Sequence, residues 1–289
     1  MKNALYIFLL FLNVTVFAEV PENERDALVD FYQSTNGPQW TAQWDLSKPV
    51  STWHGIRVQN GSVVSVSLFR NNLRGTLPES IVELVHLKVL NLAFNSIEGT
   101  IPKSIVRLKN LIVLRLGKNR LSGRIPENLG EMERLVVLDL FDNRLSGKLP
   151  ESLGKMRRLK SLQLSCNDLG GTIPESFGNL KAMERLEMAQ NKLEGAVPQS
   201  LGALDNLQML VLAENRLSGQ FPGNIMSLPK LELLQIINND FDISELQKAL
   251  SEKPTLAICD FEYLNVALVR KDFEKSLSPL RHYDRRFRI

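Results

Sequence analysis

The chain has 289 residues, of which 44% are hydrophobic and 23% are charged, and its formal net charge is +3. The apolar fraction is sufficient for a continuous core. The positive charge is small and evenly spread along the chain, which argues against a nucleic-acid partner.

The first 18 residues have the features of a secretory signal. Lys2 gives a positive start, residues 4–12 are mostly apolar, and Val16-Phe17-Ala18 ends in a small residue suited to cleavage. The alternative is a membrane anchor, but the apolar run is shorter than the ~20 residues that a spanning helix needs. We therefore predict a signal peptide over residues 1–18, no transmembrane segment after its cleavage, and a mature protein that is secreted or at the cell surface (periplasmic or extracellular if bacterial).

Residues 19–62 are predicted to form an amino-terminal cap. Apolar residues at helical spacing predict a helix over Glu22–Tyr32, which the segment 34–38 ends. Asn60-Gly61 is typical of a hairpin turn, although Asn60-Gly61-Ser62 also matches a glycosylation acceptor. The three tryptophans of the chain lie between these features, and they either stack on sugars or, as we favour, plug the end of the following repeats.

Residues 63–243 repeat one 24-residue pattern eight times. In the copy Leu135–Pro150, alternation around Leu138 and Leu140 predicts a short strand with one buried face. The asparagine that follows each strand is predicted to satisfy backbone groups at the bend, so that these side chains form a ladder. Its members are Asn71, Asn95, Asn119, Asn143, Asn167, Asn191, Asn215 and Asn239. Leu153, Met156 and Leu159 then predict a helical or 3-10 return segment.

The pattern L-x-x-L-x-L-x-x-N-x-L-x-G-x-I/L-P, seen in SLGKMRRLKSLQLSCNDLGGTIPESFGNL, resembles the plant-type leucine-rich repeat. Trp53 and Gly55 stand where plant caps have a tryptophan and a glycine, but the two cysteines of plant caps are replaced here. The segment Ser34–Trp40 is more similar to the cysteine-free caps of bacterial and algal relatives. The resemblance implies an α/β repeat solenoid, a right-handed superhelix with a concave parallel sheet and a helical or 3-10 convex side. It also implies that ligands bind on the concave face.

Side chains that alternate with the buried strand leucines are predicted to stand on this face and to contact solvent. Three of them are aromatic, and the charge along the row changes from basic to acidic, as is common at protein interfaces. The predicted ligand-binding residues are Phe69, Arg70, Phe94, Arg115, Lys118, Asp139, Phe141, Asp142 and Glu187. The alternative is a solvated surface with scattered apolar residues. Cys166 on the same face is either a reactive thiol or, as we favour, a small packing residue.

No catalytic constellation is recognisable in the sequence. The three histidines, His54, His86 and His282, are scattered, and the nucleophile, zinc and phosphate-loop motifs are missing. We therefore predict a protein that is not an enzyme, with no catalytic residue, cofactor or metal site.

Residues 244–289 are predicted to form a carboxy-terminal cap and a basic tail. Arg281–Ile289 contains four arginines and either binds an acidic surface or is a frayed end. Cys166 and Cys259 are too far apart in the predicted stack for a disulfide.

Together these features predict an exported, non-catalytic protein that recognises a protein or peptide through its concave face, with polysaccharide a less favoured ligand. The alternative function is a structural or adhesive component of the cell surface, contacted through the tail and the convex side.

Overall fold

The computed structural model describes residues 20–242, which form one helix followed by a stack of short strands and 3-10 turns. The cap helix spans Glu22–Ser34 and contains the predicted helix of residues 22–32. The predicted signal peptide, the carboxy-terminal cap and tail, and Cys259 lie outside the described residues. The boundaries drawn at residues 18, 62 and 243 stay predictions.

The concave sheet has nine strands, in the order in which they occur along the chain. They are Ile56–Gln59, Ser62–Ser67, Val89–Asn91, Val113–Arg115, Val137–Asp139, Ser161–Gln163, Arg185–Glu187, Met209–Val211 and Leu233–Gln235. The first two pair as an antiparallel hairpin through Asn60 and Gly61, which have φ of 53° and 75°, as the turn prediction requires. All later pairs are parallel and join equivalent residues, so that Leu138 pairs with Leu114 and Leu162.

A second sheet runs alongside the first and was not predicted from the sequence. Its eight parallel strands are Arg74–Thr76, Ser96–Gly99, Arg120–Arg124, Arg144–Lys148, Asp168–Gly171, Lys192–Gly195, Arg216–Gln220 and Asp240–Asp242. The sequence suggested only a bend here, because the first seven repeats each have a glycine in this stretch. Gly147 does have a left-handed φ of 85°, but the residues around it still pair with the neighbouring repeats.

Short 3-10 segments form the return side of the first seven repeats, as predicted. They span Glu79–Glu83, Lys103–Arg107, Leu129–Glu131, Glu151–Lys155, Glu175–Asn179, Gln199–Ala203 and Gly223–Ser227, and two more in the cap span Gly37–Gln39 and Val50–Thr52. In the fourth repeat Pro150 immediately precedes the segment with φ of −64°, a value that proline enforces. The repeat leucines between the sheets and these segments are buried, for example Leu138, Leu145 and Leu153, each 0% exposed.

The repeat asparagines link neighbouring turns of the stack. Asn143 accepts a hydrogen bond at Oδ1 from the backbone N–H of Leu121 (2.9 Å) and donates from Nδ2 to the carbonyls of Leu116 and Leu140 (both 3.1 Å). Asn71 makes similar contacts with the cap, because its Oδ1 accepts from the N–H of Ala42 (2.6 Å) and its Nδ2 donates to the carbonyl of the same residue (3.2 Å). Each side chain thus pairs backbone groups that the bend would leave unsatisfied.

The cap seals the first repeat with aromatic rings. Trp40, Trp44 and Trp53 are 2%, 4% and 3% exposed, and the Trp44 ring stacks on the Trp53 ring with centroids 4.8 Å apart. The rings are therefore core, and a sugar-stacking site on them is excluded. Position 55, two residues after Trp53, requires glycine. Gly55 has φ of 76°, and a β-carbon there would lie 2.2 Å from the carbonyl oxygen of Ser67.

Candidate recognition surface

In every repeat, a residue with a left-handed backbone follows the strand of the concave sheet, three residues after its end. These residues precede the ladder asparagines and have φ between 51° and 61°: Arg70, Phe94, Lys118, Asp142, Cys166, Gln190, Glu214 and Asn238. We call them the left-handed row. Asparagine and glycine adopt this conformation most readily, yet one member of the row is asparagine and none is glycine. The carbonyl of each of the last six accepts the N–H of the ladder asparagine in the preceding repeat, for example Asn119 N–H to the carbonyl of Asp142 at 3.1 Å.

Three predicted aromatic residues come together at the amino-terminal part of this surface. The ring centroids of Phe69 and Phe94 are 5.0 Å apart, and those of Phe94 and Phe141 are 6.3 Å apart. We call these rings the phenylalanine cluster. Lys118 lies beside it, with Nζ 5.5 Å from the Phe94 ring centroid and 3.4 Å from Oδ2 of Asp142. Phe69 is 41% exposed, and the other two rings are half-buried.

Two carboxyl groups lie deep in the middle of the surface, on either side of Gln163. Burial raises the pKa of Asp139 to about 6, against the effects of the Phe141 N–H, which donates to its Oδ1 (3.2 Å), and of the charge on Arg115. Burial likewise raises the pKa of Glu187 to about 7, and the charge on Asp139 adds to this rise while Arg185 opposes it.

The prediction that these alternating side chains contact solvent is wrong for part of the surface. Asp139 and Gln163 are only 4% and 8% exposed, and the outward positions of Ala93 and Ala213 are 3% and 6% exposed. The physical reason is that adjacent strands are only ~4.8 Å apart, so that Asp139 lies between Arg115 and Gln163, and Gln163 lies between Asp139 and Glu187. Of the other predicted residues, Arg70 and Lys118 are exposed, while Arg115, Asp142 and Glu187 are half-buried.

Cys166 has the environment of a packing residue. Its Sγ donates to Oε1 of Gln190 (2.7 Å), and the pKa of the thiol is raised by burial and by the carboxylates of Asp142 and Glu214. A raised pKa disfavours the thiolate, which favours the packing role over the reactive thiol.

Sequence reasoning missed one row of the concave sheet. In the three-residue strands from Val89–Asn91 onward, the first residue shares a face with the third, the position of Asp139 and Glu187. This row places Arg185 beside Glu187 and the Ser161 hydroxyl within 3.3 Å of Gln163 Nε2. The two-residue alternation that identified the Asp139 row could also have identified this one.

Comparison with protein-family models places residues 68–172 in the leucine-rich repeat region family and residues 157–217 in the leucine-rich repeat family. Residues 68–217 are leucine-rich repeats. The repeats are 36% identical over 92 residues to the leucine-rich repeat receptor protein kinase EMS1 of Arabidopsis thaliana, a match that covers 31% of this chain and 8% of the kinase.

The repeats also superpose on solved structures of plant receptor ectodomains. The complex of PEPR1 with AtPEP1 matches with a TM-score of 0.72 and 33% identity, over 76% of this chain and 32% of that one. The HAESA ectodomain from Arabidopsis, solved with an IDA peptide hormone, matches with a TM-score of 0.66 and 31% identity, over 75% and 41% of the two chains. The chain therefore spans less than half the length of each of these relatives. The predicted solenoid fold is confirmed.

Residues 20–242 contain neither a membrane-spanning helix nor a cluster of metal ligands. In this part of the chain no helix has the length and apolarity needed to cross a bilayer. Within the same residues, no three His, Cys, Asp or Glu side chains are grouped so that they could hold a metal ion.

Proposed function

We propose that this chain is an exported recognition protein that binds an extended peptide or protein segment on its concave surface. The observation that supports this best is the phenylalanine cluster, in which Phe69, Phe94 and Phe141 form a continuous aromatic surface on a face that folding does not require to be aromatic. Ligand binding would bury these rings. The relevant chemistry is apolar burial and charge complementarity, with no covalent step.

The surroundings of the cluster fit an interface. Arg70, Lys118 and Asp142 lie at its edge. The acidic side chains Glu187 and Glu214 lie further along the stack. Aromatic anchors surrounded by charged groups are typical of the centre and rim of protein interfaces. The rings are held by neighbouring strands of a regular sheet, so ordering them on binding costs little conformational entropy.

Two relatives support a peptide-like ligand. The HAESA ectodomain was solved with a peptide hormone, and the ectodomain of the plant membrane receptor kinase GASSHO1/SCHENGEN3 was solved with CASPARIAN STRIP INTEGRITY FACTOR 2. Both share the stack of repeats with this chain, which supports the proposal of a recognition role outside the cell. The apolar start of the sequence, predicted as a signal peptide over residues 1–18, supports export independently.

The test is affinity capture from the native extracellular or periplasmic fraction with the mature chain from Glu19 as bait. The variant Phe94→Ala with Phe141→Ala removes the centre of the cluster. Val85→Ala is a matched control, because Val85 is 45% exposed outside the concave sheet. We expect a protein or peptide that the wild type and the control capture and the double variant loses, with unchanged thermal unfolding. Equal capture by all three, or capture of envelope polymer alone, would favour a structural or adhesive role at the cell surface.

A further inference from the structure

Four basic side chains share the outer face of the second sheet. Arg120 and Arg124 belong to the strand Arg120–Arg124, and Arg144 and Lys148 belong to the next strand, Arg144–Lys148. All four are exposed, while the leucines between them, Leu121 and Leu145, are 0% exposed and point into the core. The cations therefore project from one side of the sheet.

The register of the two strands arranges these cations in a zigzag. Arg144 lies opposite Ser122, midway between Arg120 and Arg124, and Arg124 lies opposite Ser146, midway between Arg144 and Lys148. With ~3.3 Å per residue along a strand and ~4.8 Å between strands, successive cations have Cα atoms about 8 Å apart. The zigzag spans roughly 20 Å along the strand direction.

The cations of the zigzag have no ion-pair partner among residues 20–242, although other cations of the stack do. Lys192 on the same sheet pairs with Asp168 at 2.6 Å, and Lys118 on the concave sheet pairs with Asp142 at 3.4 Å. Two acids flank the zigzag: Glu98 on the preceding strand lies opposite Arg120, and Asp168 on the following strand lies opposite Ser146 but pairs with Lys192. Four cations without an ion pair give this face a local excess of positive charge, which attracts polyanions.

The local packing holds two of the cationic side chains flat against the sheet. A β-carbon at Gly147 would lie 3.0 Å from Cγ of Arg124, and one at Gly171 would lie 3.0 Å from Cγ of Lys148. The aliphatic stems thus lie across the glycines of the next strand, and the charged ends extend beyond them. This limits the side-chain entropy that a ligand must restrict.

We propose that this face binds a linear polyuronate, an acidic polysaccharide with carboxylates at regular intervals. Arginine forms paired hydrogen bonds with carboxylates, and serine or threonine at positions 100, 122, 146 and 172 supplies hydroxyls near the sugar ring. The first seven strands of the sheet carry no aromatic residue to stack on a nucleobase. They also present no outward apolar side chain to enter a bilayer. This inference is independent of the concave-face proposal, since it concerns a different sheet.

The test variant carries residue types that other repeats already contain at the same positions, so that the stack is preserved. The quadruple variant is Arg120→Ser, Arg124→Thr, Arg144→Ser and Lys148→Thr, which follows the example of Ser96, Thr100 and Thr172. The control variant removes four exposed cations of the return side: Lys103→Gln, Lys155→Asn, Arg157→Gln and Arg158→Asn. Binding of the full chain to immobilised alginate is measured against dextran, a single-stranded oligonucleotide and vesicles of phosphatidylglycerol and phosphatidylcholine.

We expect the wild type and the control variant to bind alginate but not dextran, more weakly as salt is raised. The quadruple variant should bind at least about tenfold more weakly, as the loss of four exposed charge contacts implies, with an unchanged unfolding midpoint. The proposal is overturned by any of three results: no alginate binding by the wild type, an equal loss in the control variant, or tighter binding to the oligonucleotide or the vesicles than to alginate.

Discussion

The carboxylate of Asp139 occupies the space beside Gly117 that a side chain would fill, since a β-carbon at Gly117 would lie 2.4 Å from Oδ1 of Asp139. Equivalent positions in other repeats hold alanine, at 93, 189 and 213. We therefore expect Gly117→Ala to displace Asp139 from its hydrogen bond with the Phe141 N–H. The free energy of unfolding in urea should fall by about 1–3 kcal/mol, as is typical of overpacking.

The control for this prediction is the same change in an Asp139→Ala background. Without the carboxylate, Gly117→Ala should change stability by less than about 0.5 kcal/mol, because the two effects are coupled only through direct contact. Equal losses in both backgrounds would show that Asp139 is not what restricts residue 117.

The buried carboxyls predict a specific pH dependence of stability. The folded pKa values of Asp139, about 6, and Glu187, about 7, lie above the ordinary values of 3.8 and 4.5. Between about pH 4 and 7 the folded chain therefore binds more protons than the unfolded chain, and these groups lower the unfolding free energy as pH rises. Asp139→Asn and Glu187→Gln should each become more stable relative to wild type from pH 4.5 to pH 8, by roughly 3 kcal/mol at most.

Urea unfolding at pH 4.5, 6 and 8 measures this difference. The comparison with wild type at each pH cancels the contributions of all other titrating groups. A difference that is constant across the range, or that shrinks as pH rises, would contradict the assigned burial of the carboxylates.

Replacing an asparagine in the interior of the ladder should lower the free energy of unfolding strongly. Asn143→Ala leaves the Leu121 N–H and the carbonyls of Leu116 and Leu140 without this partner. We expect a loss of about 3 kcal/mol or more in urea unfolding, because each orphaned buried group costs about 1–3 kcal/mol. Asn110→Ala is the control, since its hydrogen bonds to Val85 and Arg134 lie on the exposed return side, and it should cost less than about 1 kcal/mol.

The stability of the amino-terminal cap should depend on the ring of Trp44. Trp44 stacks on Trp53, meets the edge of Trp40 with centroids 4.8 Å apart, and donates from Nε1 to the carbonyl of His54 (2.8 Å). Trp44→Ala should lower the unfolding free energy by about 3–5 kcal/mol. It should also shift the fluorescence of the remaining tryptophans to longer wavelength, since the cavity admits water. Trp44→Phe, which keeps a ring, should have the smaller effect on both measurements.

The repeat itself could be predicted from the sequence because the leucines and asparagines recur at one interval. The leucines fill the core, and the asparagines bind the backbone at each bend. The hairpin at Asn60-Gly61 was equally predictable, since the turn needs two residues that accept a positive φ. The second sheet was not. A strand such as Arg144–Lys148 contains a glycine and lacks β-branched residues, so its local sequence does not favour extension. This strand forms because the stacking of equivalent turns places it beside the same segment of the neighbouring repeats.

The sequence predicted which residues belong to the candidate site, but it did not predict which of their side chains are buried or in contact. The sequence identified the phenylalanines as outward-facing, yet it could not show that Phe94 and Phe141, two repeats apart, bring their rings within 6.3 Å. It also treated Asp139 like the other members of its row. Burial of Asp139 depends on which residues its neighbouring strands carry, and that information is spread over three repeats.

The left-handed row has a consequence for how such a chain changes over generations. Its backbone turn is the same at Arg70, Phe94, Asp142 and Glu214, although these side chains share neither size nor charge. The turn is held by hydrogen bonds between main-chain groups of adjacent repeats, so it does not depend on one particular side chain at its apex. A substitution there can exchange an aromatic contact for a charged one without removing these main-chain hydrogen bonds. The row is therefore where the chain can acquire a new ligand while its strands keep their pairing.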